Sequence, residues 1–220
     1  DFDASQLVEV IPQFHDTRNR YRQLEEAIRE DRVGRVKEVQ AEIDFIQSRK
    51  ADCFLLYDLL DEGVLPLRVT HNDTKLNNIM FDSQTKEPLC IVDLDTVMPG
   101  LVLFDFGDSI RFGANDCAED EPDLSKVNFD FDLYETYVKG FIEGTNGILT
   151  EAELEYLPWG ARVITLEQGI RFLTDYINGD VYYQTSRPGQ NLDRARTQLK
   201  LVQDMENSWD QMVQAVQNMK

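Results

Sequence analysis

The sequence predicts an α+β protein that is mainly helical and carries a small central β element. Apolar residues recur at helical spacing before residue 60 and after residue 130, whereas short apolar runs separated by polar turns fill the middle of the chain. The chain contains no internal repeat, low-complexity tract or linker. The 220 residues are therefore expected to form one unit.

The first part of the chain is expected to be irregular and then helical. Pro12 excludes a long helix within residues 1–18. Helical spacing then predicts one helix over 19–32, with Gly34 as its stop, and a longer amphipathic helix over 35–60 whose polar face meets solvent.

The middle of the chain predicts three strands, over 65–69, 78–81 and 89–92. The last two are joined by a polar linker of hairpin type over 82–88. The sequence further predicts a turn at Pro99 and Gly100, a short helix over 104–111 and an exposed acidic loop over 113–128.

The remainder predicts helices over 131–143, 151–178 and 193–218. Thr150 and Glu153 form a Thr-x-x-Glu capping box at the start of the second, and Gly179 follows its end. Pro158 is expected to kink or split that helix.

Composition argues against two classes of partner. The chain has 22 Lys and Arg against 41 Asp and Glu, a net charge of −19, which disfavours nucleic acids and anionic membranes. No apolar run approaches the ~20 residues of a membrane span, and no signal-peptide pattern is present.

Cys53, Cys90 and Cys117 are odd in number and lack CxxC spacing, so we expect a reduced, cytoplasmic setting; one disulfide with a spare thiol is the alternative. Nothing indicates the oligomeric state.

One segment carries the pattern of a chemical site: HNDTKLNN over 71–78, here called the 71–78 loop, followed by IVDLD over 91–95. Asn78 follows Asp73 by five residues, and Asp93 directly follows an apolar run. Phosphoryl transfer requires an acid that orients or deprotonates the attacking hydroxyl, and oxygen ligands that hold Mg²⁺ on the phosphates. We therefore predict Asp73 as catalytic, with Asn78 and Asp93 as metal ligands.

Neighbouring residues have two interpretations each. Lys75 is an exposed loop lysine or, as the resemblance given below implies, a lysine that approaches the transferred phosphate, and Asp95 is a further metal carboxylate or a turn cap. His71 is expected to support the loop structurally. Asn72 suits unusual backbone angles. Asp105 begins a literal Asp-Phe-Gly, but it lies far beyond Asn78 and inside a predicted helix, so we expect it to cap that helix or brace the loop rather than bind metal.

The motifs also resemble a known family. HNDTKLNNIM resembles the catalytic loop of the protein-kinase-like fold, and Asn72 with IVDLD is most similar to the aminoglycoside phosphotransferase and choline kinase superfamily. The stretches DTKLNN, IVDLDTVMPG, DFGDSIRFGA and GIRFLTDYINGDVYY are most similar to the N-acetylhexosamine 1-kinases, cytoplasmic sugar kinases of that superfamily. The resemblance covers residues 65–205. It implies the C-terminal lobe of a kinase-like fold, with ATP as co-substrate, Mg²⁺, and a small sugar as acceptor.

The resemblance further implies that Arg171 and Tyr182 bind the hydroxyl and acetamido groups of the sugar. The alternatives are an i,i+4 ion pair of Arg171 with Asp175, and packing of Tyr182 in the core or at its rim. Weaker candidates for the same pocket are Trp159, Tyr183 and Arg111.

A kinase of this fold also has an N-terminal lobe, with a strand lysine and a flexible loop that hold the nucleotide phosphates. Residues before His71 predict helix and carry no glycine-rich hairpin. We therefore expect residues 1–220 to be the catalytic, acceptor-binding lobe of a longer enzyme, inactive alone. Two other interpretations stay open: a kinase for choline, ethanolamine, an aminoglycoside or homoserine, whose cationic forms would suit the acidic surface, and a non-catalytic binding module.

Overall fold

The computed structural model describes residues 2–219. Eight α-helices form in this part of the chain: α1 (Thr17–Glu30), α2 (Gln40–Gln47), α3 (Lys50–Asp61), α4 (Val102–Gly113), α5 (Phe131–Gly144), α6 (Glu151–Asn178), α7 (Gln190–Asn207) and α8 (Trp209–Gln217). Four short strands lie between α3 and α4: β1 (Arg68–Thr70), β2 (Ile79–Phe81), β3 (Pro88–Ile91) and β4 (Met98–Gly100). The prediction of a mainly helical protein with a small β element is confirmed.

Helix α6 is the centre of the molecule because it is buried along most of its length. One side of it packs on α1, α2 and α7, through residues such as Leu166 and Ile170. The other side packs on α4, α5 and α8, through residues such as Leu157 and Ala161. Helices α4 and α6 approach closely where two glycines meet, since a Cβ on Gly107 would collide with the carbonyl of Gly160. The helices thus form a continuous body that presents the loops between β1 and α4 on one side.

The strands form two separate two-stranded sheets. The antiparallel β2–β3 hairpin, with Ile79 opposite Ile91, agrees with the prediction. Strand β4 differs from the prediction. Pro99 and Gly100 were expected to form a turn, yet they pair antiparallel with β1. Proline is tolerated on such an edge strand because its missing N–H is not needed there. A side chain at Gly100 would collide with the Thr70 hydroxyl, so glycine permits the close approach of β4 to β1.

Two predicted helices are each interrupted. The helix expected over 35–60 is a 3-10 turn followed by α2 and α3, because Ser48 and Arg49 donate side-chain hydrogen bonds to the Phe45 carbonyl and end α2. The helix expected over 193–218 breaks at Ser208 into α7 and α8. Apolar spacing does not register a break of one or two residues.

The remaining helix predictions are confirmed within a few residues. The capping box at Thr150 and Glu153 is present, with both reciprocal hydrogen bonds formed. Pro158 was expected to kink or split this helix. The split does not occur, since α6 continues as a single helix from Glu151 to Asn178. No helix within residues 2–219 is long and apolar enough to cross a membrane.

Candidate active site

The 71–78 loop is fixed to helix α4 by the side chain of Asp105. Its two carboxylate oxygens accept hydrogen bonds from the backbone amides of His71, at 2.8 Å, and Asn72, at 2.7 Å. The hydroxyl of Thr74 donates to the Asp105 carbonyl at 2.6 Å, and that of Ser109 donates to the Thr74 carbonyl. Burial raises the pKa of Asp105, and the two amides act in the opposite direction. Asp105 therefore braces the loop, which is one of the two roles expected for it.

Asn72 holds the sharp bend of the loop. Its backbone is left-handed, with φ of 65°, a conformation that Asn tolerates better than most residues. The side-chain amide donates to the carbonyls of Thr70 and Thr96, and the side-chain oxygen accepts from the Thr70 hydroxyl. These bonds tie the bend to β1 and to the segment after Asp93.

Asp73 lies at the centre of a small polar network. Its Oδ2 accepts from Asn78 Nδ2 at 3.0 Å and from Lys75 Nζ at 2.7 Å, and Asn78 Nδ2 also donates to the Asp73 carbonyl. Among residues 2–219, no donor contacts Asp73 Oδ1, and the side chain is about one-quarter exposed. Asp73 therefore has one oxygen held in place and one free to accept a proton.

His71 and Asn78 bring Asp93 to the same site. The Val92 amide donates to the Asn78 carbonyl at 2.9 Å, and His71 Nε2 lies 3.1 Å from the Val92 carbonyl. Because a carbonyl only accepts, His71 carries its hydrogen on Nε2, and its Nδ1 accepts from the Asp73 amide at 3.3 Å. His71 thereby links the backbones on both sides of the site.

The residues at this site fit Mg²⁺. Since Asn78 uses its Nδ2 toward Asp73, its side-chain oxygen points elsewhere and is available as a ligand. Asp93, with left-handed φ of 63°, and Asp95 are exposed, and within residues 2–219 no side chain donates to either carboxylate. An amide and one or two carboxylates are suitable ligands for Mg²⁺, which takes its other ligands from water and substrate phosphates. No three His, Cys, Asp or Glu side chains in the described chain are grouped to hold a metal by themselves.

Arg171 and Tyr182 line a second feature, a cavity of about 260 Å³ between α1, α6 and the turn after α6. Tyr183 and Arg20 also line it, whereas Asp73 does not. The Arg171 guanidinium lies over the rings of Phe14 and Tyr183. Tyr182 is 71% exposed, so it does not pack in the core. Burial by itself would lower the pKa of Arg171, but the Glu167 carboxylate raises it.

The expected alternative for Arg171, an ion pair with Asp175, is not formed. Arg171 Nη1 lies 3.7 Å from Glu167 Oε1, one turn earlier in α6. Asp175 is buried and accepts the backbone amides of Val181, Tyr182 and Tyr183 at 2.8–3.0 Å. Asp175 is thus occupied in shaping the turn that carries the two tyrosines. The weaker candidates Trp159 and Arg111 lie outside this cavity: Trp159 packs on Trp209, and Arg111 pairs with Asp108 and Glu119.

Sequence reasoning missed His15 and Glu167, which connect these two features. His15 Nε2 lies 2.8 Å from the Asn72 carbonyl, and its Nδ1 lies 3.1 Å from Glu167 Oε2. His15 falls in a segment without periodicity, so no local pattern singled it out. Glu167 did have a usable signal, because it precedes Arg171 by four residues, the spacing of an ion pair on a helix.

A comparison with protein-family models identifies the family of the chain. The model of the phosphotransferase enzyme family, APH, matches residues 3–137, which is more than half of the chain. The match includes the 71–78 loop, Asp93 and Asp105, and it ends before Arg171 and Tyr182. The chain therefore belongs to the phosphotransferase enzyme family, a family of kinase-like enzymes that transfer phosphate from ATP to small molecules.

Proposed function

We propose that the enzyme containing this chain transfers the γ-phosphoryl group of ATP to the anomeric hydroxyl of an N-acetylhexosamine. The observation that carries the proposal is the arrangement around Asp73, with Oδ2 held by Lys75 and Asn78 and Oδ1 free. The family match supports ATP and a small-molecule acceptor. The sugar rests on the resemblance of the stretches around Arg171 and Tyr182.

The residues then have distinct roles. The acceptor hydroxyl oxygen bonds to the γ-phosphorus, the bond from that phosphorus to the bridging oxygen of ADP breaks, and Asp73 Oδ1 accepts the hydroxyl proton. Lys75, whose Nζ lies 2.7 Å from Asp73 Oδ2, would contact an oxygen of the transferred group. Asn78 and Asp93 would hold Mg²⁺, and Asp95 would be a further carboxylate for it. Bound there, Mg²⁺ neutralises charge on the phosphate oxygens.

We further propose that a nucleotide-binding lobe outside these 220 residues completes the site. The support is the β2–β3 hairpin, whose apolar side chains Met80, Leu89 and Ile91 are 52–62% exposed beside the metal ligands. Exposed apolar groups of this kind are suited to cover a base or to pack on another lobe. The three cysteines are unpaired, which supports a reducing, cytoplasmic setting.

A different acceptor is the main rival. The net charge of −19 favours a cationic acceptor such as choline, ethanolamine or an aminoglycoside over the zwitterion homoserine. The cavity that Arg171 lines does not share this acidic excess, because its described lining holds three arginines, Arg20, Arg32 and Arg171, and three acidic residues, Glu26, Glu30 and Asp175. A charge-balanced lining suits a neutral, hydroxyl-rich acceptor. The other rival, a binding module without transfer, is disfavoured because Asp73, Asn78 and Asp93 are all present.

The test is a panel of these acceptors with ATP and Mg²⁺ and the enzyme that contains this chain. We expect acceptor-dependent ADP formation with N-acetylhexosamines and a sugar 1-phosphate as product. EDTA should abolish it. Turnover with a cationic acceptor alone would refute the sugar, and Mg²⁺-dependent nucleotide binding without turnover on any acceptor would refute an enzymatic function.

A further inference from the structure

A buried ion pair joins the 71–78 loop to helix α6. The His15 imidazole lies between two acceptors, the Asn72 carbonyl oxygen at Nε2 and the Glu167 carboxylate at Nδ1. A carbonyl only accepts, so Nε2 carries a hydrogen; an ionised carboxylate also only accepts, so Nδ1 then carries one too. The geometry therefore requires either an imidazolium facing a carboxylate, or a neutral His15 facing a protonated Glu167.

The surrounding charges favour the ionised pair. The Glu167 side chain is 1% exposed, and its Oε1 lies 3.7 Å from Arg171 Nη1 and 3.8 Å from Arg20 Nε. Two guanidinium groups thus stabilise the carboxylate from α6 and α1. From α4, the carboxylates of Asp105 and Asp108 add negative charge near His15. The other groups packed on the imidazole are the uncharged rings of Phe14 and Phe104.

We propose that His15 and Glu167 are positioning residues for phosphoryl transfer, which set the catalytic carboxylate of Asp73 relative to Arg171. One Glu167 oxygen reaches the loop through His15, and the other lies beside Arg171. Asn72, whose carbonyl receives the imidazole, directly precedes Asp73. The pair therefore fixes the spacing between the acid and the acceptor side of the site. This inference rests on the proposed function.

The pair has a defined pH range. Burial alone would lower the pKa of His15, but Glu167 raises it above the ordinary 6.5; burial alone would raise the pKa of Glu167, but His15 lowers it below 4.5. The raised pKa of His15 stabilises the fold fully below pH 6.5, and that stabilisation is lost as the pH rises through the raised pKa. The lowered pKa of Glu167 stabilises the fold fully above pH 4.5, and that stabilisation is lost as the pH falls through the lowered pKa. The pair therefore stabilises the fold most between pH 4.5 and pH 6.5.

The protonation of His15 can be measured directly on the 220-residue chain by ¹H–¹⁵N spectra of the imidazole nitrogens. The chain has two histidines, so His15→Gln assigns the signals. In a pH titration, we expect His15 to lose its second ring hydrogen only above the ordinary histidine value of 6.5. Glu167→Gln should remove the Nδ1 hydrogen and keep the one on Nε2. Loss of the second His15 hydrogen at or below pH 6.5 in the wild-type chain would overturn the proposal.

The positioning role is measured kinetically in the enzyme that contains this chain. We expect Glu167→Gln and His15→Gln each to lower kcat roughly tenfold and to raise the KM for the acceptor but not for ATP, because small displacements of aligned groups are costly. The double variant should be no worse than either single one, since the two residues act as a unit. The matched control is Glu206→Gln in α7, which removes the carboxylate that pairs with Arg49 and Arg162. It should leave both kcat and KM unchanged.

Unchanged kinetics in both variants would overturn the positioning role even where the spectra show the ion pair. If no acceptor is turned over, the proposed function fails, and the Asp73 amide and Arg171 Nε–H signals then test the coupling alone. Both signals should shift together in Glu167→Gln; a shift at neither would refute the coupling.

Discussion

The helical body around α6 and the β2–β3 hairpin differ in how they bury their apolar residues. In the body, Leu157 and Leu166 are fully buried, and glycines let α4 and α6 pack backbone against backbone. In the hairpin, Leu89 is 62% and Ile91 60% exposed. Both regions contain similar apolar side chains, yet only the body provides a surface to cover them. The body therefore buries its own apolar side chains, while the hairpin presents an apolar surface that ends two residues before Asp93.

The largest difference is expected for leucine truncation. Leu157→Ala should lower the free energy of unfolding by about 2–5 kcal/mol, because it leaves a cavity in the core. Leu89→Ala in the 220-residue chain should change it by less than about 0.5 kcal/mol, because the side chain is mostly in solvent. Urea unfolding of both variants gives the comparison. A cost above 2 kcal/mol for Leu89→Ala would show that the hairpin is already packed.

A smaller effect is expected where the helices touch. Gly160→Ala should destabilise the chain by about 1–3 kcal/mol, since the new methyl group meets the Leu103 carbonyl, which belongs to a rigid helix. Gly140→Ala, in α5, has open space around the new methyl group and should stabilise by up to about 1 kcal/mol. Thermal unfolding of the two variants measures the sign of each effect. Equal shifts would contradict the close approach of α4 and α6.

Local patterns predicted most of the fold but not its irregular parts. Helical spacing and the capping box located α1, α5 and α6, because amphipathic periodicity and caps are encoded in adjacent residues. The break at Ser48 was missed because the side chains of Ser48 and Arg49 end α2 at the Phe45 carbonyl. The break at Ser208 was missed because apolar residues keep their helical spacing across it. Strand β4 was missed because Pro99 and Gly100 favour a turn, and only the pairing with β1 makes them a strand.

The candidate site also contains residues that local sequence predicts and residues that only tertiary packing brings together. The 71–78 loop is one short segment, and the structure places its Asp73, Lys75 and Asn78 in direct contact. Asp93 adjoins the loop through its neighbour Val92, and its role as a metal ligand stays a prediction. His15 and Glu167 are separated by 152 residues, and their contact arises only from the packing of α1 and α6. The pairing of His15 with Glu167 depends on tertiary structure and leaves no local pattern, whereas the spacing of Glu167 from Arg171 alone was visible in the sequence.

The most direct test of the account is the rate of acceptor phosphorylation by Asp73→Asn in the enzyme that contains this chain. This change keeps the shape of the side chain and removes its ability to accept a proton. Asp132→Asn, at an exposed position in the first turn of α5, is the matched control. We expect kcat to fall by roughly 10²–10⁴-fold in Asp73→Asn and to stay at the wild-type value in the control. Wild-type turnover by Asp73→Asn would contradict the account.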